Sequence, residues 1–244
     1  SELSRRLGSY PSYKGSPVSK GILQFDEWDV TPSKLWDWDT LKLKIKSHGV
    51  RNSLGIALMP TASTSQILGN TECFEPITSN IYKRSTLSGE FIQINKYLVE
   101  DLLELGLWNE ELRNKIIISN GSVQNIEEIP EKLKVLYKTA WEMSQKTIID
   151  LAADRGPYVC QSQSMNLYIK DPNSAKLTSA IFYAWKAGLK TLVYYMRTNA
   201  PKDAIKVTTD KEMENKILEQ DAENNLDGVA CSLDNMEACD MCGS

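Results

Sequence analysis

The sequence runs to 244 residues, 41% of them apolar and 25% charged, with a net charge of −4, which allows one large or two small domains with a sizeable core. No apolar run reaches the roughly 20 residues that span a bilayer, and the first residues lack the charged-then-apolar pattern of a signal peptide, so the expected location is cytoplasmic, away from membranes. Five cysteines at irregular positions (Cys73, Cys160, Cys231, Cys239, Cys242) exclude the paired framework of a small secreted domain, and unclustered Lys and Arg exclude a nucleic-acid patch.

Residues 1–30, with Gly8, Pro11, Gly15, Pro17 and Gly21 among serines and tyrosines, read as an irregular segment, as of a chain that begins within a fold. Thr31 and Pro32 supply a cap and a first-turn proline for a helix over 32–48, with Leu35, Trp38, Leu41 and Ile45 at helical spacing before Gly49. The apolar run 52–59 is too short for a helix and predicts a buried strand. A turn at 60–64 and a brief helical turn over 65–68 follow, then a long loop over 69–88, rich in Asn, Thr and Ser. Helices are predicted over 96–105, with Asn95 as cap and Gly106 as stop, over 110–119, closed by Asn120 and Gly121, and over 130–155, stopped by Gly156 and Pro157. The last would present one apolar face: Leu133, Leu136, Tyr137, Ala140, Trp141, Ile148 and Leu151. Alternation from Val159 to Ile169 predicts a strand over 158–169. A helix over 174–187, with Phe182 and Trp185 inward, and a strand over 190–197 complete the series. Strands alternating with helices argue for α/β packing with parallel strands, but three strands are too few to close a barrel.

The stretch 198–244 differs in kind. It carries eleven Asp and Glu against four Lys and no Arg, a local balance of −7 that leaves the body at +3, and no Phe, Tyr or Trp. Such a segment cannot bury enough apolar surface to offset the entropy of ordering, so a disordered acidic tail is expected, with the domain at 1–197. At its end Cys239 and Cys242 form a Cys-x-x-Cys pair. Two thiols at that spacing can close into a disulfide, and such pairs can have a lowered thiol pKa. A zinc half-site ranks below redox chemistry, since Cys231 is the only extra thiol nearby and His48 the only histidine. A coil over the 41 residues from Thr198 to Cys239 has an r.m.s. span of about 35 Å, comparable to a domain diameter, so the thiols can enter a cleft and also meet an outside reductant. An inert tail with incidental cysteines is the alternative.

Three further places invite a site. Pro60, Thr61, Ala62, Ser63 and Thr64 lie where a strand hands over to a helix; their backbone amides and three hydroxyls would fit a phosphate, but on sequence alone a simple helix cap is the favoured reading. Gln161, Ser162, Gln163 and Ser164 alternate on a partly buried strand, consistent with a lined cleft or with a hydrogen-bonded core. Tyr194 and Tyr195 read as strand aromatics, one facing a core and one not. Cys73 and Cys160 read as buried small residues.

Several segments together resemble the large, catalytic subunit of class I ribonucleoside-diphosphate reductase in its eukaryotic form. They are Arg51-Asn-Ser53, Met59-Pro-Thr-Ala-Ser-Thr64 with Gln66-Ile-Leu-Gly-Asn70, Glu75-Pro76, Thr78-Ser-Asn-Ile-Tyr82, Leu87-Ser-Gly-Glu-Phe91, Gln161-Ser-Gln-Ser164, Leu189-Lys-Thr191 with Tyr194-Tyr195, and the terminal Cys-x-x-Cys. The resemblance covers nearly the whole chain but only the C-terminal third of the family enzyme. It implies a partial α/β barrel, the C-terminal portion of the ten-stranded reductase barrel. It further implies that residues 60–64 hold the substrate diphosphate, that Tyr194 and Tyr195 relay a radical from the di-iron small subunit, and that Cys239 and Cys242 re-reduce an active-site disulfide before thioredoxin or glutaredoxin resets them. Tyrosine suits a relay because its oxidation can be coupled to loss of a phenolic proton whose pKa of about 10 keeps it neutral at rest.

The resemblance also implies a homodimer of large subunits, with ATP and deoxynucleotide effectors bound by upstream regions that lie outside this sequence, and no metal or other cofactor bound by this segment. The radical-loop residues and the two cysteines oxidised in turnover also lie upstream in the family, so this segment alone should not reduce a nucleotide. A non-catalytic truncated module that binds the small subunit and thioredoxin is the alternative.

Overall fold

The structure, a computed structural model, describes residues 1–198, and at 85 and 86 the backbone alone. The N-terminal segment carries more helix than its glycines and prolines imply: α1 (Glu2–Leu7), a 3-10 turn at Val18–Lys20, and α2 (Gln24–Glu27). Phe25 anchors it, buried against the Trp38 and Tyr158 rings. Helix α3 spans Trp38–His48, not 32–48, because the Asp37 carboxylate accepts the Thr40 amide at 2.9 Å and so caps the helix in place of Thr31. Leu35, expected on its buried face, stands 85% exposed.

The strand expected at 52–59 is reduced to one parallel bridge between Leu58 and Gln163, and Leu54 and Ile56 are exposed rather than buried. After α4 (Thr64–Leu68), the stretch read as a loop turns its second half into β1 (Ile81–Thr86), paired antiparallel with β2 (Gly89–Ile94). Thr86 faces Gly89 across a two-residue turn, where Gly89 adopts φ 134°, a conformation that side chains disfavour. The β-branched and aromatic residues flanking this turn outweigh the serines and threonines that suggested a loop.

Helices α5 (Lys96–Glu104) and α6 (Glu110–Ile118) form as their spacing predicts, with the Asn95 and Asn109 side chains accepting the amides of Tyr97 and Leu112. Leu98, Leu102, Leu112 and Ile116 close on Ile81 and on Leu133 and Tyr137 to make one core.

The helix expected over 130–155 is two helices, α7 (Glu131–Leu136) and α8 (Gln145–Arg155). Between them the backbone groups that would continue a helix are taken by distant partners. Asn80 Nδ2 donates to the Tyr137 carbonyl at 3.0 Å, and the Ala140 backbone amide donates to the Ile77 carbonyl at 2.9 Å. Of the predicted face, Leu136 and Leu151 are exposed while Tyr137, Ala140, Trp141 and Ile148 are buried.

The last part is a parallel β-α-β unit: β3 (Asn166–Tyr168), α9 (Ser174–Lys186) and β4 (Tyr195–Arg197), both strands shorter than predicted. Helix α9 buries Ser179, Ala180 and Ala184, whose small side chains admit the backbone close to α8, and leaves Phe182 (48%) and Trp185 (71%) exposed, the reverse of the expected orientation. Ala140, Trp141, Ile149, Ala152 and Leu167 complete this second core.

Among the described residues the strands form two separate pairs, one antiparallel and one parallel, with no closed barrel. The architecture is mixed α/β rather than the uniformly parallel one expected. No helix among the described residues is long and apolar enough to cross a membrane. The tail with Cys231, Cys239 and Cys242 lies outside the described residues.

Candidate functional site

The turn at 60–64 is fastened at one point. Thr61 donates both its amide and its hydroxyl to the Glu72 carbonyl, each at 3.0 Å, and its own carbonyl takes the Ser65 amide at 2.9 Å. The Thr61 hydroxyl is therefore already engaged. Ala62, Ser63 and Thr64 are exposed, with no partner for their amides among the described residues, and Ser63 makes no side-chain cap bond to α4. A row of unpaired amides beside two free hydroxyls can receive an anion's oxygens.

Tyr194 and Tyr195 meet directly, with ring centroids 4.3 Å apart and planes inclined at 67°. Consecutive residues of a flat strand point to opposite faces. Here Tyr194 sits at a bend just before β4, which lets the rings touch. Both are about half exposed, at 52% and 49%, so neither is the core residue the alternation suggested. The Arg197 guanidinium lies 4.7 Å from the centre of the Tyr195 ring. The Tyr195 phenol beside it raises the pKa of Tyr194, which keeps its proton at neutral pH.

Behind the pair, β3 is held by buried polar side chains. The Asn166 amide donates to Glu75 Oε1 at 2.8 Å, and its side-chain Nδ2 donates to Cys73 Sγ at 3.1 Å. The Tyr168 amide donates to Gln145 Oε1 at 2.7 Å, while Gln145 Nε2 donates to the carbonyls of Ala140 and Met143. Burial and then the nearby Glu75 and Cys73 push the Tyr168 phenol up to about 12. Glu75 and Gln145 have no signal of their own in periodicity, since each is a lone polar residue whose partner is remote in sequence.

Segment 72–75 thus touches both places: Glu72 secures the turn, and Cys73 and Glu75 reach β3. Phe74, between them, lies under the Arg155 guanidinium at 5.1 Å, and Arg155 Nε donates to Gln163 Oε1 at 3.0 Å.

Gln161 and Ser162 are exposed, and Gln163 also donates to the Ala152 carbonyl at 2.6 Å. The adjoining cavity is about 10 Å³, enough for one water at most, which favours a hydrogen-bonded role over a ligand cleft. An open groove of about 720 Å³ runs between residues 71–77 and helices α5 and α7, apart from both the turn and the tyrosines. Cys73 and Cys160 are half-buried free thiols. Among the described residues no group of three or more His, Cys, Asp or Glu is gathered around a point that could hold a metal.

The family described as "Ribonucleotide reductase, barrel domain" matches residues 1–195. The ribonucleoside-diphosphate reductase large subunit of Arabidopsis thaliana is 55% identical over 253 aligned positions, covering all of this chain and 31% of that protein. That of Danio rerio is also 55% identical, covering all of this chain and 32% of its own length. Among solved structures, the class Id ribonucleotide reductase alpha subunit of Actinobacillus ureae aligns with a TM-score of 0.56 at 33% identity, over 64% of this chain and 28% of that one. The chain spans about a third of the length of these curated relatives.

Proposed function

Because the chain belongs to the ribonucleotide reductase large-subunit family through its barrel domain, we propose that it acts within a large subunit that reduces ribonucleoside diphosphates to deoxyribonucleoside diphosphates by thiyl-radical chemistry. Its strands would be the later ones of the ten-stranded α/β barrel, with 1–197 as the barrel part and 198–244 as a redox tail. In this reading the amides of Ala62, Ser63 and Thr64, with the Ser63 and Thr64 hydroxyls, receive the substrate diphosphate, while Pro60 and Thr61 shape the turn.

Tyr194 and Tyr195 pass the radical from a di-iron small subunit towards the substrate. Each transfer moves one electron between phenols, and each oxidised tyrosine gives up its phenolic proton and recovers one when reduced. Cys239 and Cys242 give two electrons and two protons to a disulfide formed in turnover, close into a disulfide themselves, and are reset by a thioredoxin or glutaredoxin dithiol. ATP and deoxynucleotide effectors bind upstream parts of such a subunit, which acts as a homodimer.

The observation that carries this reading is the direct contact of the two half-exposed tyrosine rings, 4.3 Å between centroids, in a chain of this family. Phenylalanine at 194 keeps the ring and removes the redox-active hydroxyl. In the full-length subunit, Tyr194→Phe is expected to block radical transfer, read as loss of turnover with the small subunit present, and to leave diphosphate binding unchanged by calorimetry. Retained turnover would overturn the relay.

A further inference from the structure

Along residues 160–168 the amides of Cys160, Ser164, Asn166 and Tyr168 donate to partners other than β4. Those of Cys160 and Ser164 reach the carbonyls of Ile56 (3.1 Å) and Leu58 (2.9 Å). Those of Asn166 and Tyr168 reach Glu75 Oε1 (2.8 Å) and Gln145 Oε1 (2.7 Å). The opposite side carries the pairing with β4: the Tyr194 amide donates to the Met165 carbonyl at 2.6 Å, and the Ile169 amide donates to the Arg197 carbonyl at 2.9 Å. Where the strand itself forms, the two amides of its outer edge are therefore taken by side chains instead of a neighbouring strand.

Asn166 stands directly across from Tyr195 in the ladder, and the residue before it accepts the Tyr194 amide. Glu75, 6% exposed, grips that same Asn166 from the other side. A three-residue parallel pair has little register preference of its own.

We propose that Glu75 is a positioning residue for the tyrosine pair: its buried carboxylate fixes β3 at Asn166 and so sets the register that brings the Tyr194 and Tyr195 rings together. Its importance for turnover rests on the relay reading above; its effect on ring placement does not. The requirement is for an acceptor oxygen at glutamate's reach. Glutamine supplies one, aspartate falls a methylene short, and alanine supplies none.

The test uses the full-length large subunit with 3-fluorotyrosine at 194, read by fluorine NMR, and steady-state turnover with the small subunit. Glu75→Ala and Glu75→Asp are each expected to shift the fluorine resonance by more than its linewidth. They should lower kcat by about 10-fold or more, with KM for the diphosphate held within about twofold. Glu75→Gln should keep both the resonance and kcat near wild type.

If the alanine variant does not fold by circular dichroism, the aspartate variant carries the test, because it keeps the charge and changes only reach. An unmoved resonance in a folded aspartate variant, or a glutamine shift as large as the aspartate shift, would overturn the proposal. A moved resonance with unchanged kcat would uphold the positioning and overturn the relay.

Discussion

The Cys73 thiol is pushed up to about 11, first by burial and then by the Glu75 carboxylate, which opposes a second negative charge beside it; the hydrogen bond from Asn166 works the other way. At neutral pH it is a protonated, unreactive thiol. Glu75→Gln removes the charge that disfavours thiolate, so the Cys73 pKa should fall. Iodoacetamide labelling of Cys73 across pH, followed by mass spectrometry, should show the rate rising at lower pH in the variant, and coincident profiles would show that burial alone sets it. Tyr194, Tyr195 and the turn at 60–64 became candidates through the resemblance, which each carries as a run of neighbouring residues. Glu75 entered only within the Glu75-Pro76 segment of the resemblance, and its hold on β3 was not legible, since its partner lies 91 residues on and nothing local marks a polar residue that a strand edge will bury.

At the scale of elements, the helices that formed as predicted are those specified within a few residues. Asn95 caps α5 and the apolar spacing of α5 and α6 faces one core. The break between α7 and α8 was not legible, because it depends on Ile77 and Asn80 claiming the backbone at Ala140 and Tyr137. The orientation of α9 was misread for a related reason. Large aromatics suggest burial, yet close approach to α8 selected the alanines.

Gln145 holds this region together by closing the break and securing β3. Leucine there would fill similar space but leave the Tyr168 amide and two carbonyls without their partner, at about 1–3 kcal/mol for each group left unsatisfied. Gln145→Leu is therefore expected to destabilise the protein by several kcal/mol, measurable as a lowered urea midpoint, and a midpoint within error of wild type would refute the account.

At the scale of the molecule, one short segment joins the two candidate sites, with Glu72 on the turn at 60–64 and Glu75 on the strand behind the tyrosines. Displacement of 72–75 would disturb both at once. In the proposed reading, function at this scale also depends on the terminal dithiol. In the full-length protein, Cys239→Ser is expected to abolish multiple turnover with thioredoxin and to spare turnover with a small dithiol that reduces the active site directly. Equal loss with both reductants would refute the shuttle.

The side chains along the outer edge of β3 have a consequence for solubility. An open strand edge offers unpaired amides to any passing chain and is a route to aggregation. Glu75 and Gln145 occupy the amides of Asn166 and Tyr168 with groups that cannot extend a sheet, so these two donors are withheld from any added strand. The residue proposed to hold the tyrosines in register therefore also removes, together with Gln145, two donors through which another chain would add to this strand.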